Sequence, residues 1–486
     1  MPSNQKEEVL FMKTVTVTFL PGGACVTVPE GTDLLQAQIL AGLRPDAPCG
    51  GKGTCGKCRV WIDGREVLAC QTPADRDLTV HTQKEETLRI LTGGLSGNIT
   101  PDGTDDHVIA FDLGTTTLVA CLMDGHTGGI LAQTSRANPQ GQFGADVISR
   151  IQYVLEGGEG MRDCIHQGLT DLAKEAAAAA GIPLEKIGRA ALVGNTAMHH
   201  LLLGIDPHPL VTPPYMPAVS EAIETETTRI LPNIAGFVGG DTVGCLVSTK
   251  FDTLEDLTLL IDIGTNGEMV LGNCRRRIAC STAAGPAFEG ARISCGMRGA
   301  DGAVDHVKVE NGTLTYHVLG EGEPRGLCGS GLLDLVAGLL ELGIVDESGY
   351  LEEGSYTLCP NVTLTQKDVR EVQLAKAAIR AGIELLCQAM DVTPEDIKQV
   401  YLAGAFGNYM DPASACAIGM LPPVLLDRVT PIGNAAGEGA KRCALSRAEF
   451  EYAKKLASGT EFLELASMPD FQDMYVDALE FGEEEE

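Results

Sequence analysis

Two stretches decide how this chain folds: Val108-Ile-Ala-Phe-Asp112-Leu-Gly-Thr-Thr-Thr-Leu-Val-Ala120 and Leu259-Leu-Ile-Asp262-Ile-Gly-Thr-Asn-Gly-Glu-Met-Val270. Each reads as an apolar strand ending in Asp, then an aliphatic residue, Gly and Thr, a small polar turn and a returning strand. Asp262 follows Asp112 by 150 residues, a domain length rather than a solenoid period. Two such halves predict a duplicated α/β domain, its first lobe starting near residue 107 and its second near 258. Helices are expected over Ala145–Leu155, Met161–Ala180, Gly331–Leu342, Val369–Met390 and Pro412–Ile418.

The turns after the two aspartates have a chemistry. Phosphate needs backbone N–H donors free of side-chain obstruction, and a carboxylate holds Mg2+ through water. Asp112-Leu-Gly114-Thr115-Thr116 and Asp262-Ile-Gly264-Thr265-Asn266 supply both at strand ends. One such turn is often only a hairpin, but two related as a repeat point to a shared metal–phosphate group. More glycine-rich stretches follow in order: Leu192-Val-Gly194-Asn195-Thr196, Gly329-Ser330-Gly331 opening an apolar helix, Gly404-Ala405-Phe406-Gly407 after a strand, and Gly433-Asn434-Ala-Ala-Gly437. Singly, each serves equally well as packing glycine or ligand contact.

In this order they resemble the sugar kinase/Hsp70/actin ATPase superfamily, with its RNase H-like fold. The resemblance implies ATP and Mg2+ as cofactors. Asp112 and Asp262 would order the metal and its water, and Gly114, Thr115, Thr116, Gly264, Thr265 and Asn266 would cradle phosphate. Residues 192–196 would cross between lobes, and Gly329, Ser330 and Gly331 would meet an anion or ribose. Residues 404–407 would hold adenosine, and Asn434 would close that side. Asn195, Glu268 and Glu289 are candidates to orient the attacking water; their plainer reading is turn formation and hydrogen bonding.

Ahead of this lies a different pattern. Residues 14–19 and 24–28 alternate around Pro21-Gly22-Gly23, predicting a hairpin. Thr32-Asp33 caps a short helix, Leu34 to Ala41. Residues 58–62 and 65–70 form a second hairpin about Asp63-Gly64. This is the outline of a small α+β domain of β-grasp type over residues 1–92. Residues 93–106, rich in Gly, Ser, Thr and Asp, read as a flexible linker, which leaves 107–486 for the ATPase domain.

Within the first domain, Cys49-Gly-Gly-Lys-Gly-Thr-Cys55-Gly-Lys-Cys58 and then Cys70 give C-x5-C-x2-C-x11-C. Four thiolates on one loop and one nearby strand suit a two-iron cluster, close to the plant-type C-x4-C-x2-C…C spacing. Glycines at 50, 51, 53 and 56 let the backbone wrap around it. A structural zinc knot is the alternative, and it has no need of that glycine density. The stretch resembles two-iron ferredoxin domains and implies a 2Fe-2S cluster on Cys49, Cys55, Cys58 and Cys70.

Charge and cysteine content narrow the function. The 486 residues hold 36 Lys and Arg against 66 Asp and Glu, net −30, which argues against nucleic acid or an anionic membrane as partner. The first 90 residues are nearly balanced, and the cluster loop carries Lys52, Lys57 and Arg59, so docking of this module on acidic surfaces is expected. No apolar run reaches the roughly 18 residues of a membrane span. With no apolar signal core at the start, the 16 cysteines suggest a reducing, cytoplasmic setting. The twelve cysteines outside the cluster are expected to be packing residues, Cys295 and Cys328 in Gly-rich loops being the ones to watch. His199 and His200, on an apolar segment, read as core or interface histidines.

With the ferredoxin in front, three stretches resemble the reductive activators of corrinoid proteins: Asn138-Pro-Gln-Gly-Gln-Phe-Gly-Ala-Asp146-Val-Ile-Ser-Arg150, residues 194–204, and Ser281-Thr-Ala-Ala-Gly-Pro-Ala-Phe-Glu289-Gly. The resemblance spans almost the whole chain. It implies ATP-dependent transfer of an electron from the cluster to a corrinoid protein, reducing Co(II) to Co(I). It also implies an external low-potential donor, and it is compatible with a homodimer. The larger activators carry a further domain between ferredoxin and ATPase, where this chain has only the linker. The rival expectations are an activator of another low-potential metalloenzyme, such as a 2-hydroxyacyl-CoA dehydratase, a ferredoxin-regulated small-molecule kinase, and an Hsp70-like scaffold.

Overall fold

The computed structural model describes residues 13–43, 45, 47, 50–53, 56–82, 99–144, 146–264 and 266–482. Cys49, Cys55, Thr265 and linker residues 93–98 lie outside the described residues. The chain divides into two compact units, one comprising Met1–Glu86 with Gly141–Ala145 and the other the remainder.

In the first unit a five-stranded sheet runs in the order Ala24–Pro29, Thr14–Leu20, Leu78–Thr82, Arg59–Ile62, Arg65–Leu68. Thr14–Leu20 is antiparallel to Ala24–Pro29 and parallel to Leu78–Thr82. With the helix Leu34–Leu40, this is the β-grasp arrangement. Alternation in the first strand buries Val15, Val17 and Phe19 against Leu34, Val60 and Val80. Asp33 caps the helix by accepting from Gln36 N at 2.8 Å. Cys70 was expected on a strand and instead lies in a 3-10 turn, Ala69–Gln71, directly after the last strand of the hairpin.

The second unit contains the duplication. In the first lobe, His107–Leu113 pairs antiparallel with Thr117–Asp124, which pairs antiparallel with Ile130–Ala137. On its other side it runs parallel to Ile187–Gly194, and that strand to Thr228–Ile230. The second lobe repeats this order and direction. Thr258–Ile263 pairs antiparallel with Gly267–Gly272 and through it with Arg277–Thr282, and runs parallel to Gln399–Ala403 and through it to Val429–Gly433. Only the outermost short strands differ, Ile223–Glu224 being antiparallel to its neighbour and Glu461–Phe462 parallel.

Met161–Ala180 is helical over the expected span. Gln366–Met390 begins three residues earlier than read, because Thr365 and Asp368 form a reciprocal cap. Two helices were not expected from the sequence: Gly240–Thr249 and Ala435–Leu445 are buried almost all round. They cross so closely that a Cβ on Gly439 would stand 2.2 Å from Gly244 O. Around them one core joins Val108, Ala110 and Val193 of the first sheet to Leu260, Val270 and Ala279 of the second.

Residues 99–106 lack regular structure but are not a loose linker. Asp102 N donates to Leu445 O at 2.9 Å, Arg447 N donates to Asp102 Oδ2 at 2.6 Å, and Arg189 pairs with Asp105 at 3.3 Å. Backbone and side-chain groups distant in sequence therefore hold this segment within the second unit. His199 and His200 are buried, and His200 is satisfied at both nitrogens by Thr196 O and Ala218 N. Cys328 is buried, whereas Cys25 and Cys274 are exposed rather than packed. Among the described residues no helix is long and apolar enough to cross a membrane.

Candidate functional site

Asp112 stands near the end of the central strand of the first lobe and Asp262 at the equivalent place in the second. Glu268 is the direct cross-strand partner of Asp262, where the first lobe has Val119 opposite Asp112. Directly opposed side chains share a face, so Asp262 and Glu268 confront each other as like charges. A fourth carboxylate, Asp241, enters from the first turn of Gly240–Thr249. Withdrawal from water pushes Asp112 up to about 6, against the pull of the Asn434 hydrogen bond. Burial, then the charge of Asp112, raises Asp262 to about 6. Burial, then the charges of Asp262 and Asp112, raises Asp241 to about 7. Glu268 is held well above its usual range by burial and by Asp241 and Asp262.

These four carboxylates feel one another's charge, but among the described residues no three acids are drawn together tightly enough to ligate one ion directly, so Mg2+ fits here through its shell of water. Asp241 was not found in the sequence. Its signal was an acid embedded in the apolar, Gly-rich run Phe237-Val-Gly-Gly-Asp-Thr-Val-Gly244 between the two repeats.

Several predicted residues gather near this cluster. Asn434 Nδ2 donates to Asp112 Oδ2 at 2.9 Å. Asn195 Nδ2 donates to Thr115 Oγ1 at 2.9 Å, while its Oδ1 caps the helix Thr196–Leu203 through Met198 N. Thr116 Oγ1 donates to Glu289 Oε1 at 3.4 Å, joining the two repeats. Gly264 N donates to Asn266 O at 2.9 Å, and the Asn266 side chain bonds Glu268. Gly404 has φ +80°, and a Cβ there would meet Asp262 Oδ1 at 2.6 Å. Ala405 beside it is exposed.

Other predicted contacts are packed within the protein. A Cβ on Gly329 would stand 2.0 Å from Phe288 O, and one on Gly331 would stand 2.1 Å from Val304 O. Close backbone packing therefore accounts for both glycines. Ser330 is buried beside Cys328, 3.4 Å from its Sγ. Phe406 stacks on Phe288 at 4.5 Å between centroids, and Gly407 is buried against Leu402.

In the first unit, Cys58 Sγ lies 3.3 Å from Cys70 Sγ. That exceeds a disulfide length of about 2.05 Å and approaches the roughly 3.8 Å between two thiolates on one tetrahedral metal. A Cβ on Gly51 would fall 3.8 Å from Cys70 Cβ and 3.3 Å from Leu35, so the loop runs close to this thiol pair. The pair thus fits two of the four ligands of an iron–sulfur cluster. Of the expected basic rim, Arg59 is already engaged, with Nη1 3.0 Å from Glu66 Oε1 and Nε donating to Gly56 O at 3.0 Å.

Comparison with known proteins places the chain in a family. Residues 14–85 match the 2Fe-2S iron-sulfur cluster binding domain, 107–254 the RACo middle region and 256–486 the C-terminal domain of RACo, the ASKHA domain. Corrinoid activation enzyme RamQ of Eubacterium limosum is 37% identical over 418 residues, 77% of this chain and 70% of that protein. The Co(II) methylated amine-specific corrinoid protein reductase of Methanosarcina barkeri is 29% identical over 276 residues, 51% of each chain. A solved structure described as a reductive activator for corrinoid, iron-sulfur protein aligns with a TM-score of 0.71 at 29% identity, covering 97% of this chain and 99% of that one. Matched along more than two thirds of RamQ and across its own successive domains, the chain belongs to the family of reductive activators of corrinoid proteins.

Proposed function

We infer that the protein is an ATP-dependent reductive activator that returns a corrinoid protein from Co(II) to Co(I) with an electron delivered through its 2Fe-2S cluster. The observation that carries this reading is the joining, in one chain, of a β-grasp unit bearing the Cys58–Cys70 thiol pair to a duplicated ATPase unit whose buried carboxylates feel one another's charge. When bound, the cluster supplies one-electron transfer at low potential, near about −400 mV for plant-type centres. Each further ~60 mV in a one-electron step corresponds to about 1.4 kcal/mol, so a deficit of one or two hundred millivolts lies within reach of ATP turnover.

The residues divide the work as follows. Cys49, Cys55, Cys58 and Cys70 hold the cluster. Asp112, Asp241, Asp262 and Glu268 hold Mg2+ through its water. The loops 114–116 and 264–267 hold phosphate, and Asn195 and Glu289 orient them through Thr115 and Thr116. Nucleotide state then sets the relation of the two lobes, and with it the affinity for the two corrinoid states. A ligand shifts an equilibrium only by such a difference in affinity. Re-reduction of the cluster falls to an external low-potential donor in a reducing, cytoplasmic setting, and a homodimer accommodates the same scheme.

The deciding assay supplies the protein with reductant, Mg-ATP and a Co(II) corrinoid protein and follows the Co(I) spectrum. Co(I) is expected only with ATP; equal reduction without ATP refutes the coupling. Stoichiometric phosphorylation of a small molecule would favour the kinase reading instead.

A further inference from the structure

The segment Asn138–Arg150 has no part in the scheme so far, yet both its ends reach the first phosphate loop. Asn138 Nδ2 donates to Gly114 O at 2.9 Å, and Asn138 N donates to Thr116 O at 2.8 Å. Arg150 Nη2 donates to Thr115 O at 2.7 Å. All three carbonyls of Gly114-Thr115-Thr116 are thus claimed by one segment. In a planar trans peptide the C=O and the following N–H point in opposite directions. Fixing the carbonyls of Gly114 and Thr115 therefore turns the N–H groups of Thr115 and Thr116 to the other side of the loop.

Arg150 is 1% exposed, an expensive place for a cation when an apolar side chain would fill the same volume. Its helix, Val147–Leu155, is set by a reciprocal cap in which Ser149 N donates to Asp146 Oδ1 at 2.7 Å. Nη1 lies 3.4 Å from Met198 Sδ on the helix that Asn195 caps, and Asn195 holds Thr115 Oγ1. Burial lowers the guanidinium to about 10, while Asp146 and Glu289 favour its charged form, so it is a cation at neutral pH.

We propose that Arg150 is a positioning residue of the ATPase reaction, acting through the Thr115 carbonyl to aim the loop's N–H groups at the nucleotide phosphates. This rests on the reading of residues 114–116 as a phosphate loop.

The test uses the full chain with its cluster. Mg-ADP and a non-hydrolysable Mg-ATP analogue are titrated calorimetrically, and ATPase kinetics and thermal melting are followed in parallel. Arg150→Met is expected to weaken the ATP analogue roughly 10- to 100-fold, the worth of one charge-assisted hydrogen bond. Arg150→Lys, which keeps the charge, recovers part of that loss, and the visible spectrum of the cluster stays unchanged in both. A merely structural Arg150 would lower the melting temperature and leave the affinity of the folded protein intact, which overturns the proposal. If Arg150→Met does not fold, Arg150→Lys decides: unchanged nucleotide affinity overturns the proposal, and weakened affinity supports it. Asp112→Asn separates the two levels. Weakened binding in Asp112→Asn alone defeats the role of Arg150, whereas unaltered binding in Asp112→Asn and Arg150→Met together defeats the phosphate-loop reading itself.

Discussion

Asn434 donates its amide to Asp112 at 2.9 Å, joining residues 322 positions apart. The same side chain accepts from Gly437 N at 2.7 Å and so caps the helix Ala435–Leu445. One amide therefore fixes both the last crossing helix and the first carboxylate of the candidate site. The sequence suggested a nucleotide contact for Asn434; the structure has its amide holding Asp112.

Asn434→Ala is expected to raise Asp112 further, because the bond it removes is what opposes burial. The acid limb of the ATPase pH profile should then move to higher pH. Loss of the cap should also cost about 1 kcal/mol of stability. A pH–rate profile with an unmoved acid limb would show that Asp112 ionisation does not limit turnover.

The carboxylate cluster predicts an inverted pH dependence for the protein without metal. Asp112 and Asp262 near 6 and Asp241 near 7 all stand above the 3.8 of an unperturbed Asp. Between about pH 4 and 7 the folded state therefore binds more protons than the unfolded chain. Their contribution is complete below about 4 and is lost as pH rises through 6 to 7. Melting temperatures in chelator should fall over that window, and Mg-nucleotide should remove the fall. A flat profile in chelator would contradict the upward shift that burial gives these carboxylates.

Asp241→Asn should separate stability from function. Removing one of the confronted charges raises the melting temperature of the metal-free protein at pH 8. On the proposed role of Asp241 it also removes a carboxylate that holds the metal's water, with an expected loss in ATPase kcat of roughly 10²-fold or more. Wild-type turnover in this variant would take Asp241 out of the site.

For the first unit, Cys58→Ser should abolish the visible absorption of the cluster and the appearance of Co(I), while ATP is still hydrolysed. Iron analysis provides the check: about two irons per chain in the wild type. A colourless wild-type protein that binds zinc would reverse the assignment.

The parts of this protein legible in the sequence are those that repeat or alternate. The two Asp-x-Gly-Thr turns gave the duplicated lobes, and alternation in residues 14–19 gave the first strand. Asp241 stayed hidden because its helix is buried on almost every side and its turn reads as loop glycine. At Gly329 and Gly331 sequence does not distinguish a backbone that approaches a nucleotide from one that approaches Phe288 or Val304, and the structure shows the latter approach for both. Residues 99–106 have the composition of a linker, and the partners that fix them, Arg189, Leu445 and Arg447, are long-range.

The crossing of Gly244 and Gly439 has a mechanical consequence. Asp262 is touched by Cys245, with Sγ 3.8 Å from Oδ2, on one of the crossing helices, and Asp112 is held by the cap of the other. Both carboxylates therefore sit beside the fulcrum on which the lobes would turn. If the lobes turn about this crossing, a small rotation would barely alter the spacing of Asp112 and Asp262 but would sweep the outer strands through a much larger arc. Such an arrangement would be a lever with its grip near the pivot, in which chemistry done over short distances is read out as displacement at the rim.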